Sequence, residues 1–248
     1  MTDGSIQLVV LFLAGIVAGI INTVAGGGSF LALAALLWVG LPPHVANATN
    51  RVGVLAQSAI AFLTLRANPE PLDDEGAVGW PEFAVVALSA VSGAAIAVVV
   101  DPDAFGRILG PLLLVMVVVS LARPAAWSER GAVSRWRWPA LVVAGLYGGF
   151  LQAGVGLLLL PTFVVLGGME ATAANRRKVA FVGGLTALAL IVYASQGLVA
   201  MKPAIAMGIG AALGGYLGAH LTIVGGTRLI VWAVAGIVFL TALRLLFA

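Results

Sequence analysis

The chain of 248 residues is 61% hydrophobic and only 9% charged, against about 25% charge in a soluble domain, which excludes an ordinary soluble fold and points to a membrane protein. The net charge of +3 comes without a basic run interleaved with aromatics, so no nucleic-acid partner is expected, and the absence of cysteine excludes disulfides, thiolate metal sites and thiol relays. The opening "MTDGSIQLVV" has neither a basic n-region nor a nearby A-x-A cleavage site and reads as a mature N-terminus.

In chain order, the first apolar segments fall at 6–25 and 29–40, separated by three consecutive glycines in "AGGGS". The run 6–40 holds no charge; as one helix it would be roughly 50 Å long, more than a single pass needs. The piece 29–40 is about 18 Å as helix, too short for a ~30 Å hydrocarbon core. Two broken helices meeting at the glycines fit better. Segments at 47–65, 79–100 and 105–122 follow, then a linker at 123–137 with four arginines and one glutamate. Beyond it lie 138–153, a second short piece at 157–168 after "GVG", and long segments at 174–196, 203–222 and 227–247.

The chain repeats itself. "AGIVAGIIN" (14–22) matches "AGLYGGFLQ" (144–152), pairing Gly15 with Gly145, Gly19 with Gly149 and Asn22 with Gln152, and Gly26 then pairs with Gly156. Five residues drop out of the second copy before "ATNR" (48–51) meets "AANR" (173–176). Gly93 and Arg107 pair with Gly214 and Arg228. The predicted organisation is a first repeat over 5–122, a cytoplasmic basic linker over 123–137 and a second repeat over 138–248. Loop 67–78 and the linker are separated by two spans and share a side, which the arginines place in the cytoplasm. If each broken pair enters and leaves on one side, "RRK" (176–178) is cytoplasmic too and the second half is inverted. If each pair crosses once, the halves are parallel. The basic cluster favours inversion. The expected fold is an all-α polytopic membrane protein of two inverted repeats, each a glycine-broken helical hairpin followed by three transmembrane helices, the common plan of secondary transporters.

A half-helix starting near Ser29, after Gly26, Gly27 and Gly28, presents free N–H groups and a positive dipole end, and helix N-termini bind anions. Gly154 and Gly156 do the same from the opposite side. The alternative is that these glycines let helices pack closely. Asn22 and Gln152 each bring an amide that donates and accepts, as ligands or as interhelical bonds. Asn50-Arg51 and Asn175-Arg176 are expected to begin the long helices after the hairpins. Arginine suits oxyanions, although arginines at span ends also snorkel to the headgroups. The predicted topology puts Arg51 outside, against the charge rule, whereas Arg176, Arg177 and Lys178 also fit a positive-inside anchor. Arg107 and Arg228 read as anchors. Gly210, Gly214 and Gly218 form a packing face, with His220 beside it. Candidates for proton coupling are thin: Asp101, Asp103, Glu170, His44 and His220.

The segments "AGGGSFLALAALLWVGLPPHVANATNR" (25–51) and "GAALGGYLGAHL" (210–221), the latter with an arginine at the next turn, resemble the sulfite exporter TauE/SafE family, also called toluenesulfonate uptake permeases. The resemblance implies transport of sulfur-containing anions such as sulfite, sulfonates or sulfoacetate across a prokaryotic cytoplasmic membrane. It places the family's glycine-rich turn on Gly26, Gly27 and Gly28, its counterpart on Gly154 and Gly156, and the polar helix start on Thr49, Asn50, Ala174 and Asn175. The expected activity is alternating access around a midplane anion site, with Arg51 and Arg176 as countercharge. Export is favoured, because the inside-negative potential assists an outgoing anion by about 2.3 kcal/mol per charge per 100 mV. An anion channel or a carboxylate transporter of the same fold is the alternative. No enzyme is expected, since no nucleophile and base or acid cluster is in sight, and no cofactor. The expected partners are a small anionic substrate and the lipid bilayer, with a homodimer left open.

Overall fold

The computed structural model describes residues 4–68, 79–122 and 129–224. The segment 227–247, Arg228 and most of loop 67–78 lie outside the described residues. All regular structure among the described residues is helical: α1 (Gly4–Val24), α2 (Ser29–Trp38), α3 (Pro43–Ala67), α4 (Trp80–Val99), α5 (Pro102–Ala122), α6 (Arg137–Phe150), α7 (Val155–Pro161), α8 (Ala171–Ser195) and α9 (Met201–Val224). A π-helical turn, Thr162–Leu166, continues α7 just after Pro161, where the imino ring removes a backbone donor and widens the spiral. By length and apolarity α1, α4, α8 and α9 can each cross a membrane.

The first hairpin breaks where the sequence predicts, between Val24 and Ser29. The second breaks between Phe150 and Val155. Gly26 (φ +86°) and Gly154 (φ +78°) take the left-handed conformation that a Cβ disfavours. Helix α6 has 14 residues, about 21 Å, so a chain entering at one interface turns before reaching the other. The long helices begin earlier than the sequence reading has them. Pro43, at the first helical position where its missing N–H costs nothing, starts α3, and α8 starts at Ala171. Arg51 therefore lies about two turns inside α3 rather than at its start.

Packing exchanges helices between the two parts of the chain. Helix α1 lies on α9, with Gly15 against the Met207 carbonyl and Gly19 against that of Ala211. Helix α6 lies on α4, with Gly145 against the Val86 carbonyl and Gly149 against that of Ala90. Reciprocally, Gly214 meets the Ile16 carbonyl and Gly93 that of Leu146. The glycines at these contacts are those that match between the two parts of the sequence, each seated on a helix of the other part. Helices α3 and α8 run antiparallel: Arg176 reaches the carbonyls of Leu65 and Asn68, Gly183 faces Ser58, and Tyr193 bonds Asn47. Helices α1 and α9 run in the same direction, since Phe12, Ile16 and Ile20 meet Gly210, Gly214 and Gly218 in turn. The small-residue face of α9 is thus a packing seam. Two buried apolar clusters flank the breaks, one around Leu33, Leu36, Phe105 and Met207, the other around Val86, Leu159, Phe163 and Leu185.

Candidate functional site

The two glycine turns touch. A Cβ on Gly26 would lie 2.8 Å from the Gly156 Cα, and one on Gly156 would lie 2.7 Å from the Gly26 Cα, so bare backbone meets bare backbone. Gly28 is pressed onto α1, where a Cβ would meet the Ala18 carbonyl and lie 2.7 Å from the Asn22 nitrogen. Gly27 has room, with Leu157 and Phe30 at 3.7 Å. The N–H groups of Gly27, Gly28 and Ser29 at the start of α2 are buried and donate no hydrogen bond among the described residues, and those of Gly154 and Gly156 likewise. A helix start leaves such donors, and burial without a partner is costly unless a ligand or water answers them.

Two buried cations stand behind the turns. Arg51 is fully buried. It donates to the Gly148 carbonyl (3.0 Å), the Gly149 carbonyl and the Gln152 Oε1 (2.8 Å), and its guanidinium lies 4.4 Å from the centre of the Tyr193 ring. These acceptors close the C-terminal end of α6, where carbonyls lack intrahelical donors and the helix dipole favours a cation. Lys178 is also buried. It donates to the carbonyls of Asn22 (3.2 Å) and Thr23 (3.1 Å) and to Asn175 Oδ1 (2.6 Å), and so closes the C-terminal end of α1. Each part of the chain caps the broken helix of the other. Among the described residues no carboxylate lies within salt-bridge distance of Arg51, whereas Arg137 pairs with Glu82 at 3.2 Å between α6 and α4.

Between α1, α2, α3 and α9 lies a small cavity of about 10 Å³, room for about one water. Asn22, Ser29, Asn50 and Gln57 form its polar wall, and Met207 and Ala211 part of its apolar one. Asn22 Nδ2 donates to Gln57 Oε1 (2.8 Å), and Gln57 Nε2 to Thr23 Oγ1 (3.2 Å). Asn50 is 1% exposed, and neither its Oδ1 nor its Nδ2 has a partner among the described residues.

Of the sequence-predicted residues, Asn22, Ser29 and Asn50 share this cavity, and Gly26 and Gly156 meet beside it. Gln152 sits in the left-handed region (φ +68°), the one non-glycine there among the described residues. It accepts from Arg51 and donates to Thr186 Oγ1 (2.7 Å). Asn175 is held by Lys178. Arg176 caps the far end of α3, away from the turns. That puts "RRK" at the same end of the fold as residue 68. Lys178 does not project outward as an anchor; three residues into the next turn from Asn175, it points to the centre. Arg51, expected at the start of its helix, is buried at the level of the second break, because α3 begins at Pro43. Gln57, Thr186 and Tyr193 went unnoticed in the sequence. Their spacing carried a signal: Gln57 follows Asn50 by seven residues, and Tyr193 follows Thr186 by seven, so each pair shares a helix face. Asp101 serves as a helix start, its Oδ1 accepting from the N–H groups of Asp103 (3.0 Å) and Ala104 (3.1 Å). His220 bonds the Tyr216 carbonyl (3.0 Å) at an exposed position.

Residues 11–245 match the family model described as "Sulfite exporter TauE/SafE". Among similar proteins, a "Probable membrane transporter protein" of Haemophilus influenzae is 30% identical over 93% of this chain and 91% of its own length. The "Probable membrane transporter protein ORF9" of a Sinorhizobium species is 28% identical over 96% and 92%. The "Probable membrane transporter protein YfcA" of Escherichia coli K12 is 26% identical over 89% and 82%. With the match running from α1 to beyond α9 and the glycine-broken hairpins at the centre of the fold, the chain belongs to the sulfite exporter TauE/SafE family.

Proposed function

We propose that this membrane transporter is a secondary carrier of sulfur-containing anions, of the sulfite, sulfonate or sulfoacetate type, working as an exporter in the cytoplasmic membrane of a prokaryote. The observation that carries the reading is the meeting of two broken helices at the centre of the fold, with buried N–H groups unanswered among the described residues, beside buried Arg51 and Lys178. Donors, helix N-terminal dipoles and cations together make that centre attractive to negative charge. Asn22, Asn50, Gln152 and Asn175 supply amides around it. Arg51 acts chiefly through the field it adds, since its Nη1 and Nη2 groups are engaged by α6 and Gln152 while its buried Nε–H has no partner among the described residues, and Arg176 guards the cytoplasmic end. The family and the names of the relatives speak for transport rather than catalysis.

Alternating access follows from two inverted repeats. The exchanged contacts α1 on α9 and α6 on α4, at sequence-matched glycines, support that reading, as does the antiparallel course of α3 and α8. The cavity is too small for a sulfur oxyanion, so loading requires α1, α2 and α3 to part from α9. The test is thermal unfolding of the purified protein against sulfite, thiosulfate, sulfoacetate, taurine and lactate. A ligand at 100-fold excess over its Kd adds about 2.7 kcal/mol. Protection by a sulfur oxyanion and none by lactate is expected. Protection by lactate with none by any sulfur compound would turn the reading to carboxylates.

A further inference from the structure

Resting on the anion reading above, we propose that the binding site is asymmetric: the anion is held in the cavity of the first half, between α1, α2, α3 and α9, while the matching position of the second half is filled by the protein itself. Two observations made independently converge there. The start of α2, a helix of 10 residues, brings Ser29 to the cavity wall with a buried N–H that donates no bond among the described residues. Asn50, buried and without a partner at either amide atom among the described residues, lines the same cavity. An amide left so would ordinarily be selected against, and an oxyanion would satisfy its Nδ2.

The second half keeps the residues but not the vacancy. Asn175, the counterpart of Asn50, is already bonded through its Oδ1 to Lys178 at 2.6 Å. Gln152, the counterpart of Asn22, is engaged at Oε1 by Arg51 and at Nε2 by Thr186. The decisive difference stands two residues beyond the matched "ATNR" and "AANR": position 53 is glycine and position 178 is lysine. Gly53 lines the cavity. The Lys178 side chain instead runs past Gly156, whose Cβ would lie 3.2 Å from its Cδ, and crosses to the end of α1. There it holds the Asn22 and Thr23 carbonyls, so the second half lends its cation to the back of the first half's site. The second copy also lacks five residues after its turn, and α7 has 7 residues before its π-helical turn. A small oxyanion of low charge suits the surviving site, whose polar wall is neutral and whose cation stands behind it.

Two variants test this with sulfite and sulfoacetate as probes, read by ligand-dependent thermal shift and by equilibrium binding. Asn50→Ala breaks no hydrogen bond of the described fold and is expected to leave the melting temperature of the free protein unchanged or raised. Binding of the probe should weaken by about tenfold or more, as for a lost bond to a charged group. Gly53→Ala adds a methyl at ordinary contact distance, 3.4 Å from Met207 Cγ and 3.6 Å from Ala211 Cβ, so the fold accommodates it while the cavity narrows, again with weaker binding. Should Gly53→Ala fail to fold, Asn50→Ala decides by itself. Protection of the wild type retained in full by Asn50→Ala overturns the asymmetric assignment and leaves the anion reading standing. Absence of protection of the wild type by every sulfur oxyanion overturns that reading, and this assignment with it.

Discussion

Arg51 and Lys178 perform one task with different chemistry. The guanidinium spreads its donors over two carbonyls and an amide oxygen, whereas the ammonium gathers three oxygens around one atom. Removing Arg51 takes the donor from the Gly148 carbonyl and Gln152 Oε1, and removing Lys178 takes it from the Thr23 carbonyl and Asn175 Oδ1, at about 1–3 kcal/mol for each group. The Gly149 and Asn22 carbonyls, by contrast, keep the Tyr193 hydroxyl and the Gly26 N–H. Arg51→Met is therefore expected to lower unfolding stability in detergent by several kcal/mol, on the order of the cost of orphaning two such groups. Arg51→Lys should recover only part of it, because a point charge cannot reproduce the fork; full recovery would show that charge alone matters. Of these residues the sequence made Asn22, Asn50 and Gln152 legible, since an amide in an apolar span has to be accounted for. Lys178 was not legible, because a lysine in "RRK" near a span end is equally explained by snorkelling, and only the register of α8 turns it inward. Gln57, Thr186 and Tyr193 depend on which helices become neighbours, which periodicity along one helix does not reveal.

At the scale of the elements, the glycine interruptions were legible because a run of uncharged residues longer than a bilayer needs must turn somewhere. The start of α3 was misread. Its signal, "LPPHVANATNR", held a proline at the first helical position, but the polar residues after it looked like a helix beginning. The glycines away from the turns have a separate duty, holding α1 to α9 and α6 to α4 at backbone distance. Gly19→Ala would place a Cβ 2.5 Å from the Ala211 carbonyl oxygen, and Gly149→Ala would meet the Ala90 carbonyl as closely or closer. Each is expected to cost about 1–3 kcal/mol by forcing the helices apart, measured as a drop in the unfolding midpoint. Gly53→Ala, which meets only side-chain atoms, serves as the contrast and should show no such drop. Equal losses for all three would mean that helix seams and cavity wall tolerate volume alike.

For the whole molecule, the question is which parts move. Helices α3 and α8 face each other near the centre, where a Cβ on Gly183 would lie 3.2 Å from that of Ser58, a few tenths of an ångström short of the separation a disulfide spans. The chain has no cysteine of its own, so the double variant Ser58→Cys with Gly183→Cys carries a single bridge. On the proposed carrier reading, oxidised protein in vesicles is expected to lose anion flux and reduced protein to regain it, because alternating access would require one half to shift against the other. Undiminished flux in the bridged form would mean that α3 and α8 travel as one body. The contact of Gly26 with Gly156 bears on the same motion. Side chains that interdigitate resist sliding, but two smooth stretches of main chain pressed together do not. The crossing can thus behave as a fulcrum, keeping both hairpins in register while each tilts about a point that no larger residue could occupy.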